Sequence, residues 1–371
     1  MTTRSAQIPA RSAASAPHAD PPVVAPPPLH NAIVAYLRAH HSAAHAFWTE
    51  PGCAQVAPLQ DLCDALYVLR LLPDDRIAPD ANARFADALS RFNLAGRAGP
   101  AGAPRLSVHA TAYALGALTL LRTLDGASFP DHLHPRHWSF DALVSPTTHT
   151  PRWPRRWSQH SWRVSHWIGG APSILLALRE AFADAYTSSG GPDVAAVLHA
   201  ADALLDRGSG FLHPYRSDAL HAAFNFAYGL RHNPIAAELG GVVHLHWVNY
   251  ACRRMPFVAA PALHAACAKL LIGRRPFIEH TPYCLDFDIV HLLRTSAPHP
   301  TTPSGPLRDR IALMQQDLQR FFETSLDATY TLHRLPGALA ALHECALLLN
   351  APAVSGLAMA PRDIILTAYW L

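Results

Sequence analysis

The chain has 371 residues, half of them hydrophobic and only 15% charged, with a formal charge of +3 that leaves 24 His uncounted. A chain this long and apolar can bury a substantial core. Its mild charge argues against the strongly basic stripe of a nucleic-acid binder, and no uninterrupted apolar run is long enough to span a membrane.

Ala and Leu dominate while Val and Ile are sparse, so helix is expected and little sheet. Met1 to Pro28 is rich in Ser, Ala and Pro and lacks the apolar stretch of a secretory signal; residues 1–28 read as a disordered tail ahead of one domain over 29–371. Arg4 and Arg11, without nearby acids, would also suit a transit peptide or a bacterial type III secretion leader. A cytoplasmic location is expected, with secretion as an effector the alternative. Beyond the tail the pattern predicts helices over His30–Ser42, Leu59–Leu72, Asp80–Phe92 and Ser107–Leu124. Then comes the stretch His132–Trp167, the longest without a helical pattern until Ser161. It holds Trp138, Trp153, Trp157, Trp162 and Trp167 out of eight Trp in the chain, interleaved with Arg and His. Flat rings beside guanidinium groups can stack on a ligand and hold an anion; the plainer reading is a connection pinned to the core by its indoles. Helices are predicted next at Ser161–Trp167, Pro172–Tyr186, Pro192–Asp206, Ser217–Leu230, Pro234–Arg254 and Pro261–Ile272. The last four are Tyr283–Thr295, Pro306–Ser325, Gly337–Leu349 and Pro361–Trp370. Pro in the first turn marks several starts (Pro172, Pro192, Pro234, Pro261, Pro306, Pro361), and Gly126, Gly190, Gly208 and Gly273 mark stops.

Ser107–Leu124 and Pro234–Arg254 are apolar on more than one face and belong inside a large structure. Pro306–Ser325 has a clear polar side and belongs outside. Apolar inner helices alternating with amphipathic outer ones build two concentric layers of about a dozen helices, an all-α fold of the α/α-toroid kind. No repeat of fixed period supports a solenoid. The segment Phe92–Leu118 (FNLAGRAGPAGAPRLSVHATAYALGAL) resembles the turn-then-inner-helix unit of the α/α-toroid superfamily, which includes six-hairpin glycosidases and lyases, terpenoid cyclases and protein prenyltransferases. Ser209–Leu212 and Tyr283–Asp288 are similar to the irregular starts of such inner helices. The resemblance is one of architecture and spans roughly residues 59–350.

In toroids of that kind the inner-helix N-termini converge at one mouth, where substrates bind. That geometry selects His109, Tyr113, Trp162, His166, Trp167, Glu238, His244, His246, Asn249, Tyr250, Asp286 and Asp288. Asp286 and Asp288 lie in an apolar stretch where a carboxylate is costly unless paired or functional, and desolvation would make either a general acid. Capping of a helix start is the structural alternative for Asp286. His246, Asn249 and Tyr250 share a helix face, and with Glu238 they offer acid–base chemistry; a hydrogen-bonded interior patch is the structural alternative. Trp162 and Trp167 would stack on rings, with Arg163 and His166 binding an anionic group. The six Cys, without CxxC spacing, read as free thiols. No metal or cofactor signature is present: no HExxH, P-loop or GxGxxG, and neither DxDD nor DDxxD of the two cyclase types is complete. The expected function is an enzyme acting on a sugar-containing, anionic or neutral small-molecule or oligosaccharide substrate, a hydrolase or lyase. The alternatives are an isoprenoid cyclase or transferase, and a non-catalytic binding protein.

Overall fold

Ser107 opens and Gly126 ends a helix over Val108–Asp125. The Ser107 hydroxyl accepts the Ala110 N–H at 3.1 Å, and Gly126, at φ 68°, turns its own N–H back to the Arg122 carbonyl. These are the hydroxyl N-cap and left-handed C-terminal glycine that satisfy the orphan groups of helix ends. A computed structural model of the chain describes residues 28–72, 77–148, 161–212, 239–252, 259–273, 280–297, 302–352, 354, 356–358 and 360–371, with single positions at 219, 223, 226, 227 and 277. The expected tail at 1–28 lies, but for its last residue, outside the described residues.

The helices are α1 (Pro28–His40), α2 (Ser42–Thr49), α3 (Leu59–Leu71), α4 (Ala81–Ser90), α5 (Val108–Asp125), α6 (Phe140–Thr148), α7 (Ser161–Ala181) and α8 (Ala183–Ser188). They continue as α9 (Val194–Asp202), α10 (Gly240–Ala251), α11 (Ala260–Ile272), α12 (Cys284–Thr295), α13 (Gly305–Thr324), α14 (Leu335–Leu348) and α15 (Pro361–Ala368). Among the described residues there is no strand, only isolated bridges such as Asn93 with Arg105. The all-α expectation holds.

Six helices contact one another in succession: α3 with α5, α5 with α7, α7 with α10, α10 with α12, α12 with α14, and α14 back with α3. These are the apolar ones. Leu335 to Ala346 of α14 are buried without a break, as are Thr111 to Leu121 of α5. A helix with no polar face finds cover only between neighbours on every side. Amphipathic helices cover them from outside. α13 lies on α14, α11 and α1, burying Ile311, Met314 and Leu318 while its Arg and Gln side chains face water. α6 and α9 lie on α7, and α4 on α5. α15 contacts α5, α10 and α14, alternate members of the circuit. A single short helix can touch all three only by lying across the interior that they enclose.

Two expectations are corrected. The expected break between helices Ser161–Trp167 and Pro172–Tyr186 is absent: α7 runs through Gly169, Gly170 and Pro172. A Cβ on Gly169 would stand 2.3 Å from His244 Cβ, and one on Gly170 2.8 Å from Val108 Cγ1. The glycines serve close approach of α7 to α10 and α5 rather than a turn. The stretch after His132 is not one long connection either: 3-10 turns at Asp131–Leu133 and Pro135–His137 lead into α6, and Trp138 is buried with its indole N–H on the Leu133 carbonyl at 3.1 Å. That indole is an anchor. The expected helix at Ser217–Leu230 falls largely outside the described residues, and α10 is described only from Gly240.

Candidate functional site

Three helix starts meet at one cavity of about 110 Å³. His109 is the second residue of α5, Cys284 the first of α12, and Pro336 and Gly337 the second and third of α14. α10 adds His244 and Trp247 from its middle, and His333 comes from the 3-10 turn leading into α14. Tyr113, Phe287 and Asp288 stand one turn further along α5 and α12. The floor is apolar and aromatic, the polar groups few and convergent, as in small-molecule sites.

Asp288 is 2% exposed, and its Oδ1 has no hydrogen-bond partner. Burial, then the charge of Asp286, push its carboxyl well above the usual carboxylate range, which favours the protonated form. Its neighbour Asp286 does different work. Asp286 Oδ2 accepts the Tyr283 N–H at 2.9 Å and closes the start of α12. The capping role considered for Asp286 is therefore the observed one.

Across the same cavity, His333 Nδ1 lies 3.0 Å from Asp64 Oδ1, and Tyr113 donates its hydroxyl to that oxygen at 2.5 Å. Asp64 is fully buried on α3, and its Oδ2 has no partner. Burial opposes a charge on His333, but the hydrogen bond from Asp64, that carboxylate's charge and the charge of Asp61 overcome it and raise the imidazole above its ordinary value. The His333 side chain stays 38% exposed, so it can exchange protons. Tyr113 is driven well above its ordinary value by burial and by Asp64, and remains a donor. Its ring stacks on Tyr67 at 4.8 Å and lies parallel to His109 at 6.2 Å.

His244 gives Nδ1–H to the Gly240 carbonyl at 2.7 Å. Burial and the nearby His109 lower it to about 3, so it is neutral. Trp247 packs edge-on against it at 4.9 Å, and the Trp247 indole N–H is buried with no partner.

The structure thus gathers His109, Tyr113, His244 and Asp288 from the expected set. It places His246, Asn249 and Tyr250 elsewhere, on the face of α10 toward the far end of α12. There the Thr295 hydroxyl donates to the His291 carbonyl at 2.7 Å, so at 2.6 Å His246 Nε2–H donates to Thr295 Oγ1. Glu344 accepts His291 Nδ1–H at 3.2 Å and Arg294 Nη2–H at 2.8 Å, with a second Arg294 bond to its other oxygen. Tyr250 adds a hydrogen bond to Arg294, and Asn249 is buried nearby on α10. Burial opposes the Glu344 charge, but Arg294 and His291 hold its carboxyl below the usual range. The side chains of Trp162, Arg163, His166 and Trp167, and the whole of Glu238, lie outside the described residues.

Sequence reasoning missed Asp64 and His333. Asp64 carries the signal that singled out Asp288, an acid inside an apolar helical run (LQDLCDALYVLR). His333 sits in a turn with no periodicity to reveal it. Two larger hollows, of about 520 Å³ beside Arg38 and Glu50 and about 430 Å³ beside Arg294 and His264, have no buried carboxyl in their walls. The six cysteines are free thiols; burial and Asp288 raise Cys284 well above its ordinary value, which makes it a poor nucleophile. Among the described residues no group of three His, Cys, Asp or Glu is arranged to hold a metal ion, and no helix is long and apolar enough to cross a membrane. No protein-family model, no curated protein and no solved structure matches this chain.

Proposed function

We propose that the chain is an α/α toroid whose interior cavity is the active site of an enzyme acting on a sugar-containing substrate by acid–base chemistry, as a hydrolase or a lyase. The toroid reading is supported by the circuit from α3 through α14 and back to α3. The observation that carries the function is Asp288: a buried carboxyl, with an affinity for protons raised by burial and an oxygen no other group uses, in the wall of a cavity that His333 of a His–Asp pair also lines. Asp288 gives its proton to the leaving glycosidic oxygen as the C–O bond breaks. His333, held through Nδ1 by Asp64, takes up a proton at Nε2. In a hydrolase that proton comes from the attacking water; in a lyase it comes from the carbon next to a uronate carboxyl. Tyr113 holds Asp64 in place. Imidazoles and the Trp247 N–H offer hydrogen bonds to hydroxyls, and the aromatic walls offer faces for a sugar ring.

A second reading, protonation of an isoprenoid, is favoured by the same walls, since Trp247, Phe287 and Tyr283 would stabilise a carbocation. Turnover of methyl glycosides, of 4-O-linked oligouronides and of prenyl substrates by wild type and Asp288→Asn separates the two, since these alkoxide leaving groups need a proton donor. The sugar reading expects release of free sugar or of a 4,5-unsaturated uronate, lost in Asp288→Asn. Equal turnover by both proteins, or turnover of prenyl substrates alone, would sink it.

A further inference from the structure

The cavity is small because the chain fills part of it. After α15, Tyr369 adopts φ 60°, a left-handed conformation rare for a bulky residue, and this swings Trp370 inward. The Trp370 indole is fully buried, stacked on the His244 ring at 4.6 Å, 5.3 Å from His109, and edge-on to Trp247 at 5.7 Å. Leu371 forms part of the cavity wall. The remaining space of about 110 Å³ is well short of the roughly 300–1,000 Å³ of ordinary ligand sites.

Trp370 is not seated as a core indole usually is. A buried Trp normally finds an acceptor for its N–H, yet both Trp370 and Trp247 have none. With Asp288 Oδ1 in the wall of the same cavity, that makes three buried polar atoms left open in this part of the molecule, each at a cost to stability. Two of the three rings against Trp370 are imidazoles. Such a surround suits a flat ligand that carries hydroxyls better than a hydrocarbon plug. The polar ties of the strap are three: the Ser173 hydroxyl donates to the Tyr369 carbonyl at 3.1 Å, the Tyr369 N–H to the Ile365 carbonyl at 2.9 Å, and the Tyr369 hydroxyl to Glu180. Gly116 leaves room for the indole, since a Cβ there would sit 3.2 Å from Trp370 Cβ.

We propose that the place held by the Trp370 indole is the ring-binding subsite of the cavity, and that residues 369–371 are a displaceable strap. A hydroxylated ring enters between His244 and Trp247, satisfies the open N–H and carboxyl groups, and the strap withdraws. The nature of that ring rests on the sugar reading above.

The test is calorimetric binding of methyl β-D-glucuronide, methyl β-D-glucoside and a prenyl diphosphate to wild type, Ser173→Ala, Trp370→Phe and Trp370→Ala. Hydrogen exchange of amides 363–371 in wild type, with and without probe, accompanies it. A strap open only a small fraction of the time scales apparent affinity down to that open fraction, so loosening it is expected to tighten glycoside binding about tenfold or more in Trp370→Ala, and less in Ser173→Ala. Trp370→Phe, which keeps a ring in the subsite, stays near wild type. Exchange at 363–371 rises when the probe binds. If Trp370→Ala does not fold, Ser173→Ala and the exchange measurement decide. Glycoside binding that Ser173→Ala and Trp370→Ala leave unchanged or weaken, with unchanged exchange, overturns the strap and leaves the sugar reading standing. Tightening seen only with the prenyl diphosphate keeps the subsite and removes the sugar reading. No binding of any probe to any variant overturns both.

Discussion

Helices α10 and α12 each border buried polar groups at both ends, and the buried carboxyl differs between the ends: Asp288 keeps an oxygen open, whereas both oxygens of Glu344 are bonded, although His291 Nε2 beside it has no partner. Toward the cavity, Asp288, Trp247 and the neighbouring Trp370 leave polar atoms open. At the far end, Glu344 takes hydrogen bonds from both Arg294 and His291, and His246 is bonded to Thr295. The far end is a structural network: its charges sit close enough to satisfy one another, and taking one away strands the rest. The cavity end keeps its groups unpaired at a cost to stability, which is how sites poised for a ligand differ from core. The same two helices thus separate stability from chemistry along their length.

The sharpest way to break this comparison is to neutralise one acid at each end. Asp288→Asn is expected to reduce turnover by about 10²–10⁴-fold, the range of a general acid, while unfolding free energy in denaturant changes by about 1 kcal/mol or less, because no hydrogen bond to its open oxygen is lost. A large stability loss with unchanged turnover would reverse the assignment. At the far end, Glu344→Ala is expected to cost about 3–5 kcal/mol of stability, since it leaves Arg294 without its buried partner, and folded enzyme retains its activity. Because the Glu344 carboxyl is depressed by its partners, the wild-type advantage over Glu344→Gln is present above the ordinary Glu value and is lost as pH falls through the lower folded value. Acid melts of the two proteins check this.

His333 sharpens the comparison with the opposite sign. Its value is raised in the folded chain, so the stability it adds is complete below the ordinary His value of 6.5 and fades as pH rises through the folded value. The melting difference between wild type and His333→Gln should shrink across that window; a gap that widens with pH would contradict the Asp64 pairing. Activity should follow a bell, with an acid limb from His333 and an alkaline limb from Asp288, both displaced upward from the free side chains. The smallest effect belongs to a plain helix start: Ser107→Ala should cost about 1 kcal/mol, read from the denaturant midpoint, without touching the pH profile.

Much of the scaffold was legible in sequence because its signals are local. Ser107 and Gly126 bound α5, Pro361 starts α15, and the polar face of α13 places it outside. α7 was half legible: Gly169 and Gly170 signal close backbone approach, which His244 and Val108 supply, but Pro172 reads as a helix start and hides that one helix runs through it. In the site, spacing grouped His246, Asn249 and Tyr250 on one face of α10, but periodicity does not say which face looks inward, and the cavity took His244 and Trp247. Asp288 was legible because an acid in an apolar run stands out wherever it points. Asp64 and His333 are 269 positions apart, and no local pattern links them.

That last separation has a consequence for how the molecule comes into being. The stitch from Asp64 to His333 forms only when α14 returns to α3, and contacts between such distant positions carry the greatest loop-closure penalty and set slow folding rates. A nascent chain that has emerged as far as α12 holds Asp288 but has no imidazole paired to Asp64. The His333–Asp64 pair therefore arrives late in biosynthesis, at the moment the two ends of the helical circuit are sewn together.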